Sequence, residues 1–437
     1  MIDQPDARAL CARLQCMTAL RHVRQVPAVA ALERLAQEAA RERVDTEAFA
    51  QAYCAAYGAW MDCAARGLSG FGQAALEAVL FEESAFASLC AARDERELPY
   101  SVLRAGARDL AALGELTRLE PADLLALAAH GGADQAAFEF LPAWELETPR
   151  PDADPRLHGL ELSAQGVSAL AAFFRRHGTG LFARYPGCTW VGESERYPLG
   201  LRGIDQPDPI RLEDMVLYEQ QRGALVENTR LLLAGLPAAN VLLYGDKGTG
   251  KSATVKALLT TFFTQGLRIV EVPLASLTHL PSVFALLRRQ PGKFIVFVDD
   301  LAFSDSCPEY TALKTVLEGG LEARPANVVV YATSNRRNIV RQRFSERQDD
   351  VNERDTLEEK FSLSDRFDIR LTFAAPSQDE YLQIVRALMA ARGLCLPWDD
   401  VRPQAIAWTV SHNGCSPRVA RQFVDHLGAR AASSASQ

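Results

Sequence analysis

No apolar run in the 437 residues approaches the roughly 20 consecutive positions that a membrane-spanning helix needs, so no membrane partner is expected. Positive charge is in short supply. Lys and Arg number 47 against 55 Asp and Glu, a net charge of −8. Coating of nucleic acid through overall charge is thereby excluded, and only a local basic patch could serve that role. The opening residues, MIDQPDARAL, lack a basic region followed by an apolar one, so no secretory signal is expected. The nine cysteines (Cys11, Cys16, Cys54, Cys63, Cys90, Cys188, Cys307, Cys395 and Cys415) are odd in number and contain no C-x-x-C pair. Neither a disulfide framework nor a zinc site is expected, and reduced thiols in a cytoplasmic protein are. His22, His130, His158 and His177 have no partner at metal-ligand spacing. No run of β-branched residues occurs before Val241, and no 30–40-residue period suggests a solenoid.

What is present divides the chain. Hydrophobic content of 48% with 23% charged residues fits a globular protein long enough for two or three domains. Residues 1–180 are rich in Ala, Leu, Arg and Glu, with helical apolar spacing in Ala28–Arg43 and Glu47–Met61. Breaks fall at Gly67–Gly72, Leu98-Pro99, Glu120-Pro121, Gly131-Gly132 and Pro149–Pro155. An all-α domain of six to eight helices is expected, with Phe49, Tyr53, Tyr57 and Trp60 in its core. Residues 181–209, rich in Pro, Gly and aromatics, read as an ordered linker. Over 210–375 strands alternate with helices. The helix Tyr218–Gly235 precedes strands at Val241–Tyr244, Arg268–Val272, Phe294–Val298, Val328–Ala332 and Ile369–Phe373. Such alternation predicts a parallel sheet with helices on both faces. Residues 376–437 read as a small helical lid of Gln378–Arg392, Arg402–Ser411 and Pro417–Arg430, with a frayed tail.

The chemistry centres on VLLYGDKGTGKS, Val241 to Ser252. A buried strand runs into G-x-x-x-x-G-K-S, the P-loop pattern. Its glycines allow successive backbone N–H groups to point at a phosphate, and the following helix adds its positive end. Candidate nucleotide-binding residues are Gly245, Asp246, Lys247, Gly248, Thr249, Gly250, Lys251, Ser252 and Ala253. Lys251 suits the β- and γ-phosphates, and Ser252 suits Mg²⁺. The strand FIVFV delivers Asp299, a second Mg²⁺ ligand, and Asp300, a candidate to polarise the attacking water. Aspartate is one methylene shorter than glutamate, which would place its carboxylate further from the γ-phosphate. Asn335, ending the fourth strand, is a candidate sensor of the γ-phosphate or the water. Arg366, just before the last strand, suits an arginine finger acting in trans. Ser416-Pro417 should cap the last helix and fix Arg418 at its start, facing the phosphates from the lid. The stretch 336–354 holds six arginines among acidic residues. It reads first as a solvated insertion and second as a set of phosphate contacts through Arg336, Arg337, Arg341 and Arg343.

These motifs in this order resemble the AAA+ ATPases, and Ile204–Gly428 is similar to one bacterial branch of them, domain of unknown function 815. The stretches that carry the match are NTRLLLAGLPAANVLLYGDKGTGKS, FIVFVDDLAF, LKTVLEGGLEARPANVVVYATSNRR, EEKFSLSDRF and PSQDEYLQIV. Asp300 in the usual glutamate position fits that branch's own pattern. The resemblance implies an α/β P-loop NTPase with a helical lid behind an all-α N-terminal domain. It further implies binding and hydrolysis of ATP with Mg²⁺ and assembly into a homo-oligomeric ring or spiral. It names no substrate. The leading expectation is an oligomer-dependent remodeller or loader whose N-terminal helices choose a protein or nucleoprotein partner. A second expectation is an ATP-operated switch with little turnover. A small-molecule kinase is disfavoured by the helical lid and by Asn335.

Overall fold

The computed structural model describes residues 3–143, 156, 160–302, 308–318, 324–335, 363–412 and 414–435. The arginine-rich stretch 336–354, His158 and Cys307 lie outside them. The chain forms two compact units, Met1–Arg184 and Tyr185–Gln437.

The first unit is helical. Among its described residues are α1 (Gln4–Gln15), α2 (Pro27–Ala39), α3 (Thr46–Ala65), α4 (Phe71–Phe81), α5 (Ala85–Ala92), α6 (Tyr100–Thr117), α7 (Pro121–His130), α8 (Val167–His177) and α9 (Gly180–Arg184). This exceeds the six to eight expected, because short helices such as α5 and α9 carry too few turns to register as periodicity. Local chemistry sets their starts. Asp45 accepts the N–H groups of Glu47 and Ala48 at 2.9 and 3.2 Å, and Pro27 and Pro121 open α2 and α7. Phe49 and Tyr53 are buried in the core, while Tyr57 and Trp60 stack on each other at 5.8 Å and pack against it.

One polar group ties this unit together. Asp109 on α6 is fully buried. Its Oδ2 accepts the backbone N–H groups of Thr18, Ala19 and Leu20 at 2.8, 2.7 and 3.1 Å, and Arg108 lies 3.3 Å from Oδ1. Removing the carboxylate would strand three donors at the turn after α1. Asp109→Ala is therefore expected to destabilise this unit by about 3 kcal/mol or more. Urea unfolding followed by far-UV circular dichroism checks this; an unshifted midpoint would refute it.

The second unit is built on one sheet of seven strands in the order β2-β1-β4-β5-β6-β3-β7. The strands are β1 (Gly187–Trp190), β2 (Leu201–Ile204), β3 (Val241–Gly245), β4 (Leu267–Glu271), β5 (Lys293–Val298), β6 (Val328–Ser334) and β7 (Ile369–Phe373). Only the β1–β2 pair is antiparallel. The apolar runs of β5 and β6 are buried on both faces, as a covered parallel sheet requires. The stretch 181–209 is corrected here. It contains β1 and β2, and β1 pairs in parallel with β4 through Gly187↔Ile269 and Cys188↔Val270. A linker reading failed because four-residue strands flanked by proline carry no visible alternation.

The described helices of this unit are α10 (Glu219–Leu233), α11 (Lys251–Phe262), α12 (Leu280–Arg288), α13 (Pro308–Glu318) and the lid helices α14 (Gln378–Ala391), α15 (Trp398–Ser411) and α16 (Pro417–Ala435). A capping box starts α14: Glu380 N–H donates to Ser377 Oγ, and Ser377 N–H to Glu380 Oε2. Helix α15 begins four residues before the expected Arg402, with Pro403 inside it. Helix α16 continues to Ala435, past the expected end, so residues 431–435 of the tail read as frayed are helical. The lid has its own core, including Tyr381, Val385, Phe423 and Val424.

The eight described cysteines form no disulfide. Among the described residues no group of three or more His, Cys, Asp or Glu could hold a metal, and no helix is long and apolar enough to cross a membrane.

Candidate active site

The parallel register brings the candidate residues to one edge of the sheet. Leu243 pairs with Thr333 and Val298 with Ala332, so the ends of β3, β5 and β6 deliver the loop 246–250, Asp299-Asp300 and Thr333–Asn335 side by side. Gly245 is required where β3 meets β7. A Cβ there would lie 2.1 Å from the Phe373 carbonyl oxygen. Gly250 precedes α11 with φ +96°, the left-handed region that glycine enters freely.

A cleft of about 380 Å³ opens at this edge. Lys247, Gly248, Thr249, Gly250, Lys251, Ser252 and Ala253 line it, as do Asp299, Asp300, Asn335 and Arg418. Lys251 is buried, and its Nζ donates to the carbonyls of Gly245 and Asp246 at 3.0 and 2.7 Å. Burial pushes its ammonium below the usual lysine range against the opposing pull of Asp246, Asp300 and Asp299, while Arg418 pushes it further down. Ser252 Oγ donates to Asp299 Oδ1 at 2.6 Å, and Asn335 Nδ2 donates to Asp300 Oδ1 at 2.6 Å. Thr333 Oγ1 donates to Asp299 Oδ1 at 2.5 Å and accepts the Asp300 N–H at 2.9 Å. Asp300 has φ +53°, uncommon for a residue other than glycine.

The lid touches the loop directly. Ser416 Oγ accepts the N–H of Val419, capping α16 as expected, and the backbone N–H of Arg418 donates to the Gly248 carbonyl at 3.3 Å.

Three expected site residues do not line the cleft. Gly245 sits at the end of β3 against Phe373 of β7. Asp246 turns its carboxylate to the N–H of Ala375, 2.8 Å away, where β7 leads into the lid, and only its carbonyl serves Lys251. Arg366 sits on the surface in an ion pair with Glu318 of α13 at 3.0 Å. Its neighbours Asp365 and Asp368 are engaged by Arg370 and by the Asn240 N–H.

Other cleft residues were not anticipated. Arg421 stands one turn after Arg418 on α16. Apolar lining comes from Met215 and Val216 and from Ile384 and Leu388 of the lid. Arg222 pins the first pair by donating to the carbonyls of Leu212 and Met215 at 2.8 and 2.6 Å. Tyr218 anchors the same segment. Its hydroxyl, pushed up to about 12 by burial and by nearby Glu380 and Asp246, stays protonated and donates to the Ala374 carbonyl at 2.6 Å.

The model of a family described as protein of unknown function (DUF815) matches residues 184–431. The chain belongs to that family. The DUF815 match spans the whole seven-stranded, mostly parallel sheet, the P-loop sequence and nearly all of the lid. No curated protein matches the sequence. Among solved structures, Thermotoga maritima RuvB, titled a Holliday junction branch migration motor, aligns at 14% identity with a TM-score of 0.35, over 50% of this chain and 63% of that one. A mutant of the same protein aligns at 16% identity with a TM-score of 0.34, over 50% and 64%. The DUF815 chain thus covers less than two thirds of these structures, and a likeness so remote says nothing about its substrate or assembly.

Proposed function

We propose that this chain binds and hydrolyses ATP with Mg²⁺, in a site completed by a neighbouring copy. The observation that carries the reading is the convergence in one cleft of the P-loop N–H groups, Lys251, the Ser252–Asp299 pair, the Asp300–Asn335 pair and two lid arginines. The loop and the start of α11 hold the phosphates, and Lys251 exchanges its two carbonyl partners for phosphate oxygens. The apolar walls suit the base. Ser252 Oγ and Asp299 Oδ1, 2.6 Å apart, are the hard oxygen donors that Mg²⁺ takes together with phosphate oxygens and water. When bound, that ion would neutralise charge between the β- and γ-phosphates. Asp300 accepts a proton from the attacking water, Asn335 orients it, and Arg418 and Arg421 face the phosphates from α16. Arg366, outside its own cleft, reaches the nucleotide of an adjacent subunit.

Hydrolysis so arranged drives a remodeller or loader of a protein or nucleoprotein partner, with the helical unit Met1–Arg184 as the partner-binding part and the cytoplasm as its compartment. The expected result is a specific ATPase activity that rises with protein concentration and is abolished by chelating Mg²⁺. A rate per chain independent of concentration would overturn the shared site. The bond from Arg418 N–H to the Gly248 carbonyl also favours a second reading, an ATP-operated switch in which the lid responds to the occupant of the loop. Binding of ATP with lid movement and negligible turnover at every concentration would select it.

A further inference from the structure

The expected weakness of the site is the length of Asp300. Its backbone suggests how that shortfall is met. At φ +53° the residue leaves the extended path of β5 and turns its side chain toward Asn335, whose Nδ2 lies 2.6 Å from Oδ1. This turn is held by the strand beside it. Thr333 Oγ1 accepts the Asp300 N–H at 2.9 Å, the Leu301 N–H donates to the Thr333 carbonyl at 2.7 Å, and Ser334 Oγ donates to the Leu301 carbonyl at 2.8 Å. The same Thr333 hydroxyl gives its single proton to Asp299 Oδ1, which also receives Ser252 Oγ. Thr333 is buried, so neither of its hydroxyl bonds is shared with bulk water.

We propose that Thr333 is a positioning residue for ATP hydrolysis: it fixes the left-handed backbone at Asp300 and the orientation of Asp299 through one hydroxyl. Backbone conformation here does what side-chain length does where a glutamate follows the metal-holding aspartate. Aspartate is suited to position 300 because it tolerates left-handed backbone better than longer side chains do. Glutamate there would be strained, and its carboxylate would overshoot Asn335. The proposal rests on the hydrolysis reading above.

The test compares Thr333→Val, Thr333→Ser and Asp300→Glu with the wild type at saturating assembly, measuring kcat, KM and Mg·ATP affinity. Thr333→Val keeps the shape and loses both hydroxyl bonds. Its kcat should fall about tenfold to a hundredfold, the scale of a carboxylate displaced by roughly 1 Å, with ATP affinity within about threefold of wild type. Thr333→Ser, which restores the hydroxyl, should recover most of the rate. Asp300→Glu should lower kcat despite its longer reach. Wild-type turnover in Thr333→Val, an unrecovered Thr333→Ser, or a faster Asp300→Glu would each overturn this proposal and leave the hydrolysis reading standing. A wild type without Mg·ATP turnover would overturn both.

Discussion

Arg366→Ala will lower the ATPase rate of assembled protein by about a thousandfold while leaving ATP affinity within roughly threefold. The reason is its placement. Arg366 does not line the cleft of its own chain, and its partner Glu318 forms a half-exposed ion pair that contributes at most about 1 kcal/mol. A neighbouring nucleotide can readily outcompete such a partner. Steady-state turnover and nucleotide titration give the two numbers, and a mixing experiment separates trans from cis action. Arg366→Ala subunits keep an intact P-loop, and Lys251→Ala subunits keep the arginine. An equal mixture should recover activity at about a quarter of the sites if assembly is random, since each such site needs an intact loop beside an intact arginine. No recovery from two inactive variants would place the arginine's action in cis or deny it altogether.

Lys251→Ala should abolish turnover and weaken ATP binding about a hundredfold, on the scale of about 2–5 kcal/mol for removing a buried, hydrogen-bonded charge. In the folded chain this ammonium is the buried cation among Asp246, Asp299 and Asp300, and burial already disfavours its charge. A triphosphate there would relieve that cost, whereas an alanine leaves the cleft carboxylates of Asp299 and Asp300 without that cation. Calorimetric titration with Mg·ATP measures the loss. Retention of full affinity would refute the assignment of Gly245–Ser252 as the phosphate-binding loop, whatever Arg366 does.

Much of the sheet was legible because parallel strands buried on both faces must be apolar throughout. FIVFV and VVVYA announce β5 and β6 without any pattern finer than hydrophobicity, and Ile369–Phe373 matches β7 to the residue. The loop was legible because phosphate chemistry dictates glycines and a lysine at fixed spacing. Other parts of the site carry no such signature. Met215, Val216, Ile384 and Leu388 face the cleft, but in sequence they are ordinary apolar residues of a turn and an amphipathic helix. Arg421 repeats Arg418 at helical spacing in a helix whose orientation only the lid packing decides. The pairing of Arg366 with Glu318 joins positions that local reading never compares. The left-handed turn at Asp300 is a property of the backbone. A side-chain comparison of aspartate with glutamate could notice the missing methylene but not its compensation.

The hairpin of β1 and β2 has a consequence for how this chain may be divided. A fragment starting at Ile210, where strand–helix alternation begins in the sequence, would keep the P-loop and lose the pairing of Gly187, Cys188 and Thr189 with Ile269, Val270 and Glu271. The flank of β4 would then present a bare row of N–H and C=O groups on the largely buried segment LRIVE, a template for strand addition from another molecule. The four residues of β1, with β2 turned back against them, act as a guard rail. They keep stray strand pairing away from the flank of β4.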